Sequence, residues 1–284
     1  MVNDVHLVDV FTTGGKGGNL APIVLNATGW SDFQMQDIAR QHERESAFVF
    51  PADPTSGVDF QLRFFVPEHE MEMCGHATVG TAYVMHDLQQ APRDELRFMT
   101  KSGMVRTRRN DRDGRAFISV SQPKGTVAEI SDAALIAELL SVLNIDTSRL
   151  GPWPIQNANT SRTKTVIPLK SVQMLNALQP DFSRVQGICE KLGSTGLYPY
   201  AIGPEGQELI VEARQFPRAS GYPEDAATGI AAAALAFALA ANDVLAIGHE
   251  VVVYQGRAMG FLSQIRVQLE ESGCWVGGEC VRRT

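Results

Sequence analysis

The chain has 284 residues, 44% hydrophobic and 20% charged, with a net charge of −7, the profile of a globular protein of one large or two medium domains. That balance, with no Lys/Arg run and no basic aromatic stripe, argues against nucleic acid as the partner. The opening residues (MVNDV) are acidic where an export signal is basic, and the longest apolar run, 226–241, is short for a membrane span.

Residues 5–11 read as a strand running into a glycine-rich turn at 12–19 (TTGGKGGN), with a second strand at 21–25. A nucleotide loop fails there. The dinucleotide fingerprint needs glycine where Leu20 stands, and a P-loop needs Ser or Thr where Gly17 stands. Ser31 with Gln34 forms a capping box for a helix carrying Met35, Ile38 and Ala39 and ending near 42–45. Residues 46–50 and 61–66 read as strands closed by Pro51 and Pro67. Residues 71–74 are expected to be extended, Gly75 to turn the chain, and 77–87 to be helical. Short strands follow over 96–121, turning at 101–103 and 110–114.

The second half is expected to hold helices at 131–143, 172–178 and 182–192 and strands at 197–202 and 208–216. Residues 221–229 (GYPEDAATG) then launch an alanine-rich buried helix, and strands at 251–254, 263–269 and 275–280 close the chain. The halves share a plan: strands, a glycine turn and one strongly apolar helix, starting at Gly75 and Gly229. This predicts an α+β fold of two small sheets, each wrapped round a helix. The expected division is 1–122 and 123–262, with the region of about 263–284 free to return to the first half.

The chemistry candidates cluster where those helices begin. Cys74 and His76 flank Gly75, but no second Cys/His pair supplies a metal site; His69 and His86 are available, but His86 lies on a helix pointing elsewhere by spacing. Cys74 reads either as a thiol activated at a helix start or as a small buried hydrophobe. Cys189, Cys274 and Cys280 are scattered, so reduced thiols and a cytoplasmic setting are expected. His76, in a first turn with unsatisfied N–H groups, is expected to be a neutral hydrogen-bond donor or a structural histidine. Asp225 reads as a cap or a functional carboxylate. Glu45 is either a solvated charge or a partly desolvated acid/base, because residues 46–49 turn inward directly after it.

Eight segments carry a family resemblance. They are 8–11 (VDVF) with Gly18 and Asn19, 45–49 (ESAFV), 63–67 (RFFVP), 74–78 (CGHAT), 214–217 (RQFP), 224–229 (EDAATG), 255–259 (QGRAM) and 276–278 (VGG). In this order they resemble the PhzF-like isomerase family of phenazine biosynthesis, which has the diaminopimelate-epimerase fold. The resemblance implies two pseudo-symmetric halves, each a small barrel round a central helix, with the active site in the cleft between them. It implies no cofactor, no metal and a homodimer.

Carried onto this chain, the resemblance makes Glu45 the acid/base, His76 and Asp225 its hydrogen-bonding partners, and Gly75 and Gly229 ligand-facing. Ala77, Ile230 and Asn19 stand beside them as substrate-binding positions. The implied reaction moves a proton between carbons of a small carboxylate-bearing metabolite, for example a cyclic unsaturated amino acid. Two departures bear on the substrate. Ile230 replaces a common serine, and the dihydro-hydroxyanthranilate isomerase of the family has no cysteine at the place of Cys74. The rival readings are a non-catalytic anion-binding or assembly protein and a two-cysteine epimerase or racemase, which the lack of a second cysteine before Gly229 disfavours.

Overall fold

The computed structural model describes residues 4–112, 114–204 and 206–283. They begin with β1 (Val5–Thr12), β2 (Asn19–Val24), α1 (Asp32–His42), β3 (Ser46–Pro51), β4 (Phe60–Phe65), β5 (Glu70–Met71) and α2 (Gly75–Asp87). Next come β6 (Glu95–Thr100), β7 (Gly103–Arg112), β8 (Arg115–Pro123), β9 (Thr126–Glu129), α3 (Ala133–Val142), β10 (Gln156–Asn159) and β11 (Thr163–Pro168). The rest are α4 (Val172–Asn176), α5 (Phe182–Leu192), β12 (Gly196–Ile202), β13 (Leu209–Ala213), β14 (Phe216–Pro217) and α6 (Gly229–Ala241). The last strands are β15 (Glu250–Gln255), β16 (Ser263–Glu270) and β17 (Gly273–Arg282). The fold is α+β in two compact units: residues up to Ser121 with those from Gly277 onward, and Gln122–Val276.

In the first unit the sheet closes on itself. Ladders join β1 to β2, β2 to β3, β3 to β4, β4 to β6, β6 to β7 and β7 to β8, and β17 pairs with both β8 and β1. Inside lies α2, whose residues from Gly75 to Ala82 are all buried, as an all-round apolar helix requires. It approaches β1 and β2 at a glycine: a Cβ on Gly80 would sit 3.0 Å from both Ile23 Cδ1 and Val10 Cγ2. Outside, α1 begins with the Ser31–Gln34 capping box and buries Met35 and Ala39 against Phe48 and Phe65.

The second unit repeats this order. In the first unit the ladders β1–β2, β2–β3, β3–β4, β4–β6 and β6–β7 alternate antiparallel and parallel, and α2 lies on the second parallel crossover. The ladders β10–β11, β11–β12, β12–β13, β13–β15 and β15–β16 alternate identically, with α6 on the second crossover. Both helices have 13 residues. The alanines of α6 let the strands close in, and α3 and α5 cover the other face with Leu139, Ile167, Val185, Ile188, Leu197 and Phe216.

Among the described residues no helix is long and apolar enough to cross a membrane. All four cysteines are buried, and none is in a disulfide. Gly75 does not turn the chain before the helix; it is the first helical residue, and Cys74 is the extended cap. The polar segment 156–159 (QNAN), with no strand expected, is β10, because β9 and β11 flank it.

Candidate active site

In the first unit the sequence candidates meet at the start of α2. Cys74 caps the helix with an extended backbone (φ −136°, ψ 111°) and no side-chain cap bond. Its carbonyl instead receives the Thr78 N–H (3.0 Å) and the Thr78 hydroxyl (2.8 Å). The N–H groups of Gly75, His76 and Ala77 thus stand at the positive end of the helix without a capping acceptor from Cys74. Asn19, 8% exposed, opens β2 opposite Val10. Phe11, the residue after Val10, has φ 67° at the bulge where β1 shifts register against β17, a costly conformation for a bulky residue. It marks where the chain leaves the ladder for the glycine-rich turn, in which Gly14, Gly15, Gly17 and Gly18 all have positive φ.

His76 is 8% exposed. Burial pulls its pKa down, the Arg44 cation adds to that, and the Glu45 carboxylate is the main opposing charge. The ring is therefore neutral. Its Nδ1 lies 3.4 Å from Cys74 Sγ, and its Nε2 is buried with no hydrogen-bond partner. Cys74 is thus more than a packing residue, as it touches the ring it precedes. Glu45 is half-buried on the last residue before β3, and its carboxylate is within electrostatic reach of the His76 ring.

In the second unit the start of α6 has different contacts. Thr228 is the extended cap, again without a side-chain cap bond. Its hydroxyl donates to Asp225 Oδ2, and Ala227 N–H approaches Asp225 Oδ1 at 3.5 Å. Asp225 therefore holds the turn before the helix rather than the first-turn N–H groups that a cap would bind. Gln255 Nε2 donates to the Asp225 carbonyl (2.7 Å) and to Thr228 Oγ1 (3.1 Å). Its Oε1 accepts from the Thr228 N–H (3.3 Å) and from Tyr198 Oη (2.9 Å). Gly229 is buried, and Asp225 and Ile230 are half-buried.

Sequence reasoning missed the anchors of both starts. Arg63 forks onto Glu70 (2.7 and 2.8 Å) and lies over the Phe65 ring, its carbon 5.1 Å from the centroid. Arg214 forks onto Glu224 (2.9 and 2.7 Å) and lies over Phe216 at 5.0 Å. Each glutamate stands four residues before its cap, Cys74 or Thr228. Such bidentate pairs hold geometry as well as charge. The signal was the repeated Arg-x-Phe, visible at 63–65 and 214–216. Among the described residues no three His, Cys, Asp or Glu side chains group so as to hold a metal.

The family model described as "Phenazine biosynthesis-like protein" matches residues 8–281. The "Uncharacterized isomerase YddE" of Escherichia coli K12 is 31% identical over 94% of this chain and 90% of its own. The "Trans-2,3-dihydro-3-hydroxyanthranilate isomerase" of Pseudomonas aeruginosa is 29% identical over 94% of this chain and 90% of its own. The crystal structure of a Bacillus anthracis phenazine biosynthesis protein of the PhzF family superposes with a TM-score of 0.86. It covers 99% of this chain and 96% of its own at 24% identity.

Proposed function

The chain belongs to the phenazine biosynthesis-like (PhzF) protein family and is one of its isomerases, and on that premise we propose a cofactor-independent proton shift with Glu45 as the acid/base. The observation that carries it is a buried neutral imidazole with an unbonded Nε2 in the first turn of α2, within electrostatic reach of the Glu45 carboxylate. The substrate is a small carboxylate-bearing metabolite, a cyclic unsaturated amino acid of the kind in the name of the Pseudomonas relative.

The Glu45 carboxylate removes a proton from an sp3 carbon next to a double bond. The C–H electrons form the new double bond, and the old one delivers its pair to the far carbon. The same carboxyl returns the proton there, so atoms and charge balance without an external acid. The Cys74 thiol donates to His76 Nδ1, which leaves the imidazole proton on Nε2 as a donor to the substrate oxygen that gains charge. At the α2 start Gly75, Ala77 and Asn19 are the proposed substrate contacts; at the α6 start the proposed contacts are Gly229, Ile230 and Asp225, whose carboxylate accepts from an amino or hydroxyl group. A homodimer is the proposed assembly, which light scattering tests.

A two-thiol epimerase is disfavoured by Thr228, which stands where Cys74 stands. The other thiols are poor nucleophiles, since burial raises Cys189 to about 11 and Cys274 to about 12. The test is incubation in heavy water with cyclic unsaturated amino acids, trans-2,3-dihydro-3-hydroxyanthranilate among them. Carbon-bound deuterium is expected with the wild type and none with Glu45→Gln. A ligand that raises the melting temperature while no compound exchanges would leave an anion-binding protein instead.

A further inference from the structure

One buried cation of the second unit has no part in the chemistry above. Lys164, the second residue of β11, is 6% exposed. Its ammonium makes no hydrogen bond or ion pair among the described residues. Lysine is almost never buried without a partner, since an unpaired charge there is expensive to keep. Burial lowers its pKa to about 8, so it is still a cation at neutral pH.

Strand alternation fixes its direction. Ile167 on β11 and Leu197 and Ala201 on β12 belong to the core shared with α3 and α5, so Lys164, Gly196 and Tyr198 face the other way. β11 and β12 run parallel with Thr165 beside Leu197, which puts Lys164 beside Gly196. A Cβ on Gly196 would lie 2.2 Å from Gln215 Nε2, so the Gln215 amide rests over that glycine. Gln215 is 1% exposed, and neither its Nε2 nor its Oε1 has a partner. Its backbone carbonyl receives the Asp225 N–H at 3.0 Å. Asp225 is in turn the charge that most favours the Lys164 ammonium.

An ammonium, an unbonded amide and a half-buried carboxylate thus gather where α6 begins. The internal repeat points to the same spot. β11 holds the place of β2, and its second residue corresponds to Leu20, whose backbone lies against His76.

We infer that Lys164 is the counter-ion of the ligand's carboxylate, with the Gln215 amide as second donor and Asp225 receiving the ligand's amino group. The ligand class is a small amino-carboxylate. This rests on the proposed function only in taking the ligand to be such a molecule, and no proton transfer is required of Lys164.

Calorimetric titration with anthranilate, an inert amino-carboxylate, and with 2-aminobenzamide, its neutral counterpart, tests it. Lys164→Met is expected to weaken anthranilate at least tenfold and leave 2-aminobenzamide unchanged, while Lys164→Arg stays within about threefold of wild type. Lys164→Met should melt no lower than wild type, because it removes an unpaired charge. The inference is overturned by wild-type affinity for anthranilate in Lys164→Met, by equal loss of both ligands, or by a wild type that binds no anthranilate. A markedly lower melting temperature would make the lysine structural and overturn it too. Lys164-dependent anthranilate binding, in a protein that exchanges no carbon-bound proton, keeps this inference and removes the isomerase.

Discussion

The two central helices have equal length, the same crossover and the same Arg–Glu anchor before them, yet their first turns differ in kind. At α2 the polar atoms are left wanting: His76 Nε2 is buried and unbonded, and the Cys74 thiol against its Nδ1 is a weak donor. At α6 Thr228, Asp225, Gln255 and Tyr198 bond one another. The same frame thus leaves an unbonded ring nitrogen at one start and ties the cap of the other into a hydrogen-bonded network.

Exchange kinetics probe the reactive side of this contrast, and the largest effect is expected there. Glu45→Gln should lower carbon–hydrogen exchange by at least ~10³-fold with an unchanged melting temperature; comparable exchange would place the base elsewhere. Next come the anchors, read by urea unfolding. Arg214→Met strands the buried Glu224 (side chains 7% and 9% exposed) and should lose about 3–5 kcal/mol. Arg63→Met, whose pair is wetter at 24% and 14%, should lose about 1 kcal/mol. Equal losses would erase the distinction between a rigid and an open start.

Lys164 comes third. Its folded pKa of about 8 lies below the ordinary 10.5, which corresponds to a cost of about 3 kcal/mol at neutral pH. Between pH 8 and 10.5 the unfolded chain keeps this proton and the folded chain has shed it, so wild-type stability gains on Lys164→Met as pH rises through that window. Asp225 opposes the depression, while Arg162 and Arg218 reinforce it. Denaturant midpoints of both proteins at pH 7 and 10 read the difference; a constant gap would mean that Lys164 is not desolvated. Smallest is Cys74→Ala, expected to slow exchange less than about tenfold, since one weak hydrogen bond orienting His76 is lost. A loss near that of Glu45→Gln would make the thiol a reactant.

Local chemistry was legible in the sequence where it was short-range. The Ser31–Gln34 box predicted α1, and the apolar spacing predicted 182–192 as it stands in α5. What stayed hidden depends on distant partners. β10 has the composition of a loop and becomes a strand because two neighbours complete its ladder. The Arg–Glu forks span seven and ten residues across turns, a spacing with no period. No strand was expected at 163–168, so nothing in the sequence set Lys164 beside Gly196, its neighbour on the β12 ladder.

The closing strand of the first unit is the last one made. β17 pairs antiparallel with β1, Val8 opposite Arg282 and Val10 opposite Cys280, up to the bulge at Phe11, and Arg283 forks onto Asp9. A ribosome delivers β1 first and β17 last, so the first unit must wait, its ring open and α2 partly uncovered, while the whole second unit emerges. The second unit has its own ladders from β9 to β16 within one continuous stretch. It can therefore be complete first, and this order makes the exposed edges of β1 and β8 the part of the nascent chain most in need of protection.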